Sequence, residues 1–286
     1  MGGGSYSIDS RNTRAKAMNY HSNSIHENFT ASGMHEGMNP KGVTIRESRD
    51  SLEHPNSLAI IIAMDQTGSM GYMPQELVKD GLPHIMTTII GAGIPDPQVM
   101  FCAIGDAHNH ERSPFQISQF ESSDEKLDFW LTKVHLEGNG GGNGGEDYSF
   151  AHHFAAHHTS IDCFEKRGEK GFLFTIGDDK PHSSITSAMF KGYLDKGDLS
   201  EQTDEQMIKE AQKLYNVYHI HVGRNEASHN VKRRWTQLLG ENFVDCPDFT
   251  QAPQVIADII AANAVKHSQE SISLTPTSPG QSGISL

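Results

Sequence analysis

The sequence contains little that would cross-link, export or anchor the chain. Its three cysteines, Cys102, Cys163 and Cys246, are scattered, and none forms a CxxC pair. Such cysteines are typical of free, buried thiols in a reducing compartment. The start, MGGGSYSIDSR, lacks the apolar segment of a secretory signal, and no stretch approaches the ~20 apolar residues of a transmembrane helix. We therefore expect a soluble, cytoplasmic protein without a membrane partner, unless a signal-independent route exports it.

Positive charge is also scarce. The chain has 23 Lys and Arg against 36 Asp and Glu, which gives a net charge of −13. An acidic chain of this kind is a poor candidate for nonspecific nucleic-acid binding, and it has no basic amphipathic stretch for anionic membranes. There is no P-loop GxxxxGK[ST], so an ATPase would have to be a separate chain, and no HExxH zinc motif. Apolar residues make up 36%, a low share that indicates some length outside a packed core.

Composition divides the chain into three parts. Residues 1–56 are polar and predict an irregular N-terminal extension, whereas residues 268–286 predict a disordered Ser/Thr/Pro/Gly tail. Residues 57–267 alternate strand and helix signals, which predicts an α/β domain with a doubly wound, mostly parallel six-stranded sheet covered on both faces. The expected strands are 58–64, 98–104, 115–120, 171–176, 216–222 and 242–245. The expected helices are 75–91, 123–134, 147–160, 203–215, 228–239 and 251–265, the first kinked or broken by Pro83.

Three loops after expected strands carry polar ligand atoms. The first is DQTGS, with Asp65, Thr67 and Ser69; the second is the glycine-rich 138–147, with Asn143 and Glu146; the third is GDDKPH, with Asp178 and Asp179. Ligands of open α/β sheets bind outside the carboxyl ends of the strands. Carboxylate, amide and hydroxyl oxygens suit Mg²⁺, Mn²⁺ or Ca²⁺ rather than zinc. Each loop alone is more typical of a turn or helix cap, but together they predict a metal site.

The three loops together resemble the von Willebrand factor type A (VWA) domain with a metal-ion-dependent adhesion site. That family has DxSxS after its first strand, Thr or Asp in a glycine-rich loop, and Asp after its fourth strand. Thr67 keeps the hydroxyl of the usual first Ser, and Asn143 keeps an oxygen but drops a charge. One branch also carries GGGDxPE and GDAPPH, similar to GGNGGED and GDDKPH here, and a segment similar to AIGDAHNHE. The resemblance covers residues 57–266.

The resemblance implies a VWA/Rossmann-like fold with one antiparallel edge strand. It implies a bound Mg²⁺, with Mn²⁺ or Ca²⁺ as alternatives, whose ligands are Asp65, Thr67, Ser69, Asn143 and Asp178. Supporting roles fall to Asp106, Glu146, Asp179 and His182. In this family the metal accepts an acidic residue of a partner protein, so the resemblance implies a non-enzymatic adaptor. A MoxR-type AAA+ ATPase or an assembly subunit would be such a partner.

Two other functions remain open at this point. The segments GDAHNHE and GDDKPH faintly resemble blocks of metal-dependent phosphoesterases, although the leading DxH is missing and the order differs. A structural component of a phage-like or other large assembly would use residues 1–56 as an arm on a neighbouring subunit. His153 and His157 have a zinc-compatible spacing, but a packed or exposed helix face is the favoured interpretation.

Overall fold

A central sheet organises the protein. The computed structural model describes residues 4–67, 70, 72–137, 144–195, 198–223 and 227–273, the last ten of these as backbone only. Its strands are β1 (Arg46–Ser48), β2 (Ser57–Asp65), β3 (Asp96–Ile104), β4 (Phe115–Ile117), β5 (Thr159–Ile161), β6 (Gly171–Gly177), β7 (Ser184–Ile185), β8 (Gln202–Thr203), β9 (Tyr215–His221) and β10 (Phe243–Asp245). Six of them form the main sheet in the order β10-β9-β6-β2-β3-β4.

The main sheet has the predicted topology. Its neighbouring strands are parallel except for β4, which runs antiparallel to β3 at one edge. All residues of β2, β3 and β6 are buried, as expected for parallel strands covered on both faces. The six expected strands are confirmed, and so is the VWA-like α/β fold class, with its single antiparallel edge strand.

Helices cover both faces of this sheet. They are α1 (Ile8–Ala17), α2 (Ile25–Asn28), α3 (Tyr72–Glu76), α4 (Leu82–Gly91), α5 (Asp124–Thr132), α6 (Ser149–His157), α7 (Asp162–Arg167), α8 (Ser187–Tyr193), α9 (Asp204–Ala211), α10 (His229–Leu239) and α11 (Ala252–Ser273). A π-helical turn, Leu77–Gly81, separates α3 from α4, and Pro83 lies in the first turn of α4. The irregularity predicted from Pro83 is therefore present, because proline is accommodated at the start of a helix.

The N-terminal segment packs against its own chain. The segment expected to be irregular contains α1 and α2, and β1 pairs in parallel with β5. Arg11 of α1 and Asp128 of α5 are both buried and form an ion pair at 3.1 Å. The division of the chain at residues 56 and 267 stays a prediction. α11 continues to Ser273, and the rest of the expected tail, 274–286, lies outside the described residues.

Cys102, Cys163 and Cys246 are free and buried, as expected. Within the described residues, no helix combines the length and the apolar character needed to span a bilayer.

Candidate metal centre

The predicted site lies where the strand order of the sheet reverses. β2 is flanked by β3 on one side and β6 on the other, and such a switch point leaves a crevice outside the carboxyl ends of the strands. β2 ends at Asp65, and Asp178 follows the last residue of β6. Two carboxylates that the sequence predicts as metal-associated therefore come from adjacent strands at this crevice.

Local hydrogen bonds fix the Asp65 carboxylate. Its Oδ1 accepts from the Thr67 backbone N–H at 2.7 Å and from the Thr67 hydroxyl at 2.6 Å. Its Oδ2 accepts from the Tyr148 hydroxyl at 3.1 Å. Both oxygens of this fully buried carboxylate thus have defined neighbours, and the Thr67 hydroxyl lies beside it as the DxT spacing predicts.

Tyr148 is a site residue that the sequence analysis missed. Its buried ring packs edge-on against His219 and Trp235. Its hydroxyl lies so close to Gly177 that a Cβ added there would be 1.9 Å from the oxygen. A buried tyrosine needs a polar partner, but the sequence does not show that the partner is Asp65.

Carboxyl groups accumulate around the crevice without basic partners. Within the described part of the chain, Asp65, Glu111 and Glu146 form no ion pair with Lys or Arg. Burial raises the pKa of Asp65 to about 7, with a contribution from the charge of Asp178 and against the hydrogen bonds from Thr67. Burial, followed by the charge of Asp65, raises the pKa of Glu146 to about 10.

Glu111 is a further buried carboxyl group without a Lys or Arg partner among the described residues. Burial raises its pKa to about 7, and one carboxyl oxygen of Glu111 and one of Glu146 are buried without a hydrogen-bond partner among the described residues. Buried carboxylates are costly unless a cation compensates them. The donor set, carboxylate and hydroxyl oxygens, fits a hard divalent cation such as Mg²⁺.

The predicted ligand set includes two residues outside the described part of the chain. Ser69 and Asn143 lie outside the described residues. The five-residue ligand set of Asp65, Thr67, Ser69, Asn143 and Asp178 therefore stays a prediction. Of this set, the structure brings Asp65 and Thr67 into contact and places Asp178 directly after the neighbouring strand.

The four predicted supporting residues occupy different positions. Asp106 is buried, and its Oδ1 lies 3.2 Å from the Nε2 atom of His182. Glu146 is 3% exposed and, through its backbone, pairs with the loop after β6 at Pro181. Asp179 accepts from the Lys180 N–H with its carboxylate and from the Trp235 indole with its carbonyl, so it stabilises the loop itself.

A second group of potential ligands lies beside this site. Asp106, His108, Asp147 and His182 each offer one ligand atom, and these four atoms lie within 4.8 Å of one another. The sequence analysis did not select His108 or Asp147. Both stand in the segments GDAHNHE and GGED, so their residue types were visible, but their convergence depends on the paths of two loops.

The helical histidine pair has a packing role. His153 is buried, its ring stacks near Phe190, and the ring centroids of His153 and His157 are 4.7 Å apart. Burial lowers the pKa of His153 to about 4. Outside the cluster of Asp106, His108, Asp147 and His182, the described residues contain no group of three or more His, Cys, Asp or Glu that could hold a metal.

The comparisons with known proteins concern the fold. No family model and no curated protein sequence matches the chain. Similar solved structures include the pilus adhesin SpaC from Lactobacillus rhamnosus GG in an open conformation, with 11% identity, 76% of this chain and 31% of that chain covered, and a TM-score of 0.49. Proximal thread matrix protein 1 from the mussel byssus, with a zinc-occupied MIDAS motif, has 12% identity, 73% and 48% coverage, and a TM-score of 0.45.

A von Willebrand factor type A structure from Catenulispora acidiphila has 13% identity, covers 79% of this chain and 48% of that chain, and has a TM-score of 0.40. The chain thus spans about a third to a half of the length of these neighbours. Because every TM-score quoted lies below 0.5, the VWA-like fold is assigned from the strand order of the sheet.

Proposed function

We propose that this protein is a non-enzymatic, divalent-metal-dependent binding module that docks an acidic side chain of a partner protein. The observation that carries the proposal is the fully buried Asp65 carboxylate at the switch point, with Asp178 directly after the adjacent strand and no basic ion-pair partner of Asp65 among the described residues. Mg²⁺, when bound, would supply the compensating charge and a coordination position that a further carboxylate can fill.

The chain's own residues would hold the metal ligands in place. Thr67 and Tyr148 keep the Asp65 carboxylate in one orientation from opposite sides. Trp235 donates to the Asp179 carbonyl at 3.0 Å, which restrains the loop that carries Asp178. A ligand set fixed before binding loses little conformational freedom on binding, which favours affinity.

The identity of the metal, the partner and the compartment are proposed from the sequence. Oxygen donors favour Mg²⁺, with Mn²⁺ or Ca²⁺ as alternatives. The proposed partners are a MoxR-type AAA+ ATPase or an assembly subunit, met in the cytoplasm by a chain that acts as an adaptor. The acidic balance of the chain, −13, is consistent with docking through a metal, because direct charge attraction would disfavour an acidic partner.

A pull-down from native lysate tests the proposal. We expect a partner that binds the full chain in Mg²⁺, is released by EDTA, and is not captured by the Asp65→Asn variant. Asp80→Asn, the same chemical change at an exposed side chain, is the matched control and should bind as the parent does. Capture that persists both in EDTA and with Asp65→Asn contradicts the proposal.

One observation favours a metal-dependent phosphoesterase as a second candidate. His108 and His182 supply imidazole ligands next to the carboxylates, as a centre that activates water would need. A phosphatase assay with Mn²⁺ should compare the parent with Asp65→Ala and His108→Asn. His110→Ala is the control, because His110 is exposed and lies outside the cluster. Metal-dependent turnover lost in the first two variants alone supports this candidate, whereas no turnover removes it.

A further inference from the structure

We propose that Asp106, His108, Asp147 and His182 form a second metal site, which shares no ligand with the proposed docking site and takes a transition-metal ion of the Zn²⁺ class. The four ligand atoms lie within 4.8 Å of one another. Zinc binds His nitrogen and carboxylate oxygen at about 2.0–2.1 Å, so the ligand atoms of a tetrahedral shell are about 3.4 Å apart. A contraction of at most about 1.4 Å at the widest pair would therefore close the shell.

Hydrogen bonds between loops assemble this group. Asp106 and His108 belong to the loop after β3, and Asp147 precedes α6. The Oδ2 atom of Asp147 accepts from the backbone N–H groups of Ala107 at 2.6 Å and His108 at 3.2 Å. Its Oδ1 atom lies 2.8 Å from the Nδ1 atom of His108. One carboxylate oxygen thus joins the two loops, and the other contacts the His108 ring.

The loop after β6 brings the fourth ligand. The Glu146 N–H donates to the Lys180 carbonyl at 3.0 Å, and the His182 N–H donates to the Glu146 carbonyl at 3.1 Å. The His182 ring packs on Gly145, where a Cβ would lie 2.9 Å from Nδ1. Backbone pairing and the absence of a side chain at position 145 therefore hold His182 beside Asp147.

A further carboxylate lies behind the group. Glu111 accepts from the Asp106 N–H at 2.9 Å with one oxygen, and its other oxygen is buried without a partner among the described residues. Groups of this kind, placed behind the ligands, orient them and commonly change metal affinity by about 10–100-fold. An unpartnered buried carboxylate oxygen beside the cluster is an independent indication that a cation belongs here.

An ion can reach the cluster from solvent, because two of its four side chains are partly exposed. The Asp106 and Asp147 side chains are 0% exposed, whereas those of His108 and His182 are 29% and 15% exposed. The two carboxylates are therefore buried, and the two imidazoles lie on the solvent side of the cluster. The ring centroids of His108 and His182 are 4.0 Å apart. Imidazole ligands favour zinc and its neighbours over Mg²⁺, so this group differs in selectivity from the all-oxygen docking site.

Zinc titration of the full, tag-free chain tests the proposal against the alternative of two structural His–Asp pairs. After removal of metals with EDTA, we expect calorimetry and metal analysis in excess Mg²⁺ to find one tightly bound Zn²⁺ per chain. The double variant His108→Asn/His182→Gln should bind this Zn²⁺ at least about 100-fold more weakly. Co²⁺ in place of zinc should give the visible absorption of a low-symmetry site, and the double variant should lose it.

Three controls make the result specific. His110→Asn and His157→Gln remove histidines outside the cluster, and Asp65→Asn disables the docking site; each variant should keep the zinc. Circular dichroism and urea unfolding in EDTA must show that the double variant folds as the parent does. Unchanged zinc binding in a folded double variant, or an equal loss in His110→Asn or His157→Gln, overturns the proposal. Zinc retained by Asp65→Asn shows that this site stands apart from the docking function.

Discussion

Replacing Asp65 by Asn should stabilise the metal-free protein at alkaline pH while abolishing its response to Mg²⁺. The substitution keeps an oxygen that can accept from Thr67, and it removes the charge that burial opposes. It therefore resembles the wild-type protein with Asp65 protonated. A site residue whose removal stabilises the fold is the expected signature of a group retained for function.

The magnitude follows from the environment of the carboxyl group. Burial raises the pKa of Asp65 from 3.8 to about 7, and each pKa unit corresponds to about 1.4 kcal/mol. The contribution of Asp65 to the free energy of unfolding is fully present below pH 3.8 and is lost as the pH rises to about 7. Between these two values the folded state holds a proton that the unfolded state has released, so a rising pH favours unfolding. The total loss is about 4 kcal/mol.

A smaller opposing effect comes from Tyr148. Its hydroxyl donates to Oδ2, and an Asn NH₂ group at that position could not accept the bond, which costs about 1 kcal/mol. We therefore expect Asp65→Asn to be about 3 kcal/mol more stable than the parent above pH 7. Below pH 4 it should be equal or about 1 kcal/mol less stable.

Urea unfolding in EDTA at pH 4 and pH 8 measures this difference, with Asp80→Asn as a control that should show no such pH dependence. Adding Mg²⁺ at 100 times its dissociation constant should stabilise the parent by about 2.7 kcal/mol and leave Asp65→Asn unchanged. The reasoning is refuted if the metal-free variant is the less stable protein at pH 8, or if Mg²⁺ stabilises both proteins equally.

Three further substitutions test two contacts of Tyr148 and one ion pair of the N-terminal segment. Gly177→Ala would place a Cβ 1.9 Å from the Tyr148 hydroxyl and should lower the free energy of unfolding in urea by about 2–4 kcal/mol. Gly192→Ala in α8 is the control, because no atom lies within 4 Å of the added Cβ, and it should be neutral or stabilising. Equal effects of the two substitutions would contradict the contact. Tyr148→Phe should weaken Mg²⁺ binding about tenfold in calorimetry, because it removes one hydrogen bond to Asp65 of about 1.4 kcal/mol. An unchanged affinity would show that this bond does not orient the Asp65 carboxylate. Arg11→Met leaves the buried Asp128 without one of its partners and should cost about 3 kcal/mol, and an unchanged midpoint would place α1 elsewhere in solution.

The strands were predictable because their sequences reflect their surroundings. β2 and β6 are buried throughout, and a short apolar run bounded by polar residues is the pattern of such a strand. The ends of parallel strands meet at one edge of the sheet, so the closeness of Asp65 and Asp178 followed from strand order alone. The first helix was harder, because Pro83 predicts a break without specifying a π-helical turn at Leu77–Gly81.

The missed residues depend on tertiary contacts between loops. Tyr148 reaches Asp65 across 83 positions of sequence, and His108 meets Asp147 across 39. No local pattern encodes such contacts, and the backbone bridge between Glu146 and Pro181, which joins two of the loops, is equally non-local. Sequence reasoning therefore identified the edge of the sheet at which the docking site is proposed, but it did not select the cluster of Asp106, His108, Asp147 and His182.

Adjacent residues of one turn serve the two proposed sites. Asp147 points to the cluster with His108, whereas Tyr148, the next residue, donates to Asp65. The loop after β6 is divided in the same way between Asp178 and His182. Because the two sites share backbone but no ligand, a substitution that shifts this backbone would impair both, and only changes confined to side-chain atoms can separate them. Removal of the Tyr148 hydroxyl and of the two cluster imidazoles meets that condition. Two independent sites therefore require that each change weakens the binding of one metal and leaves the binding of the other unchanged.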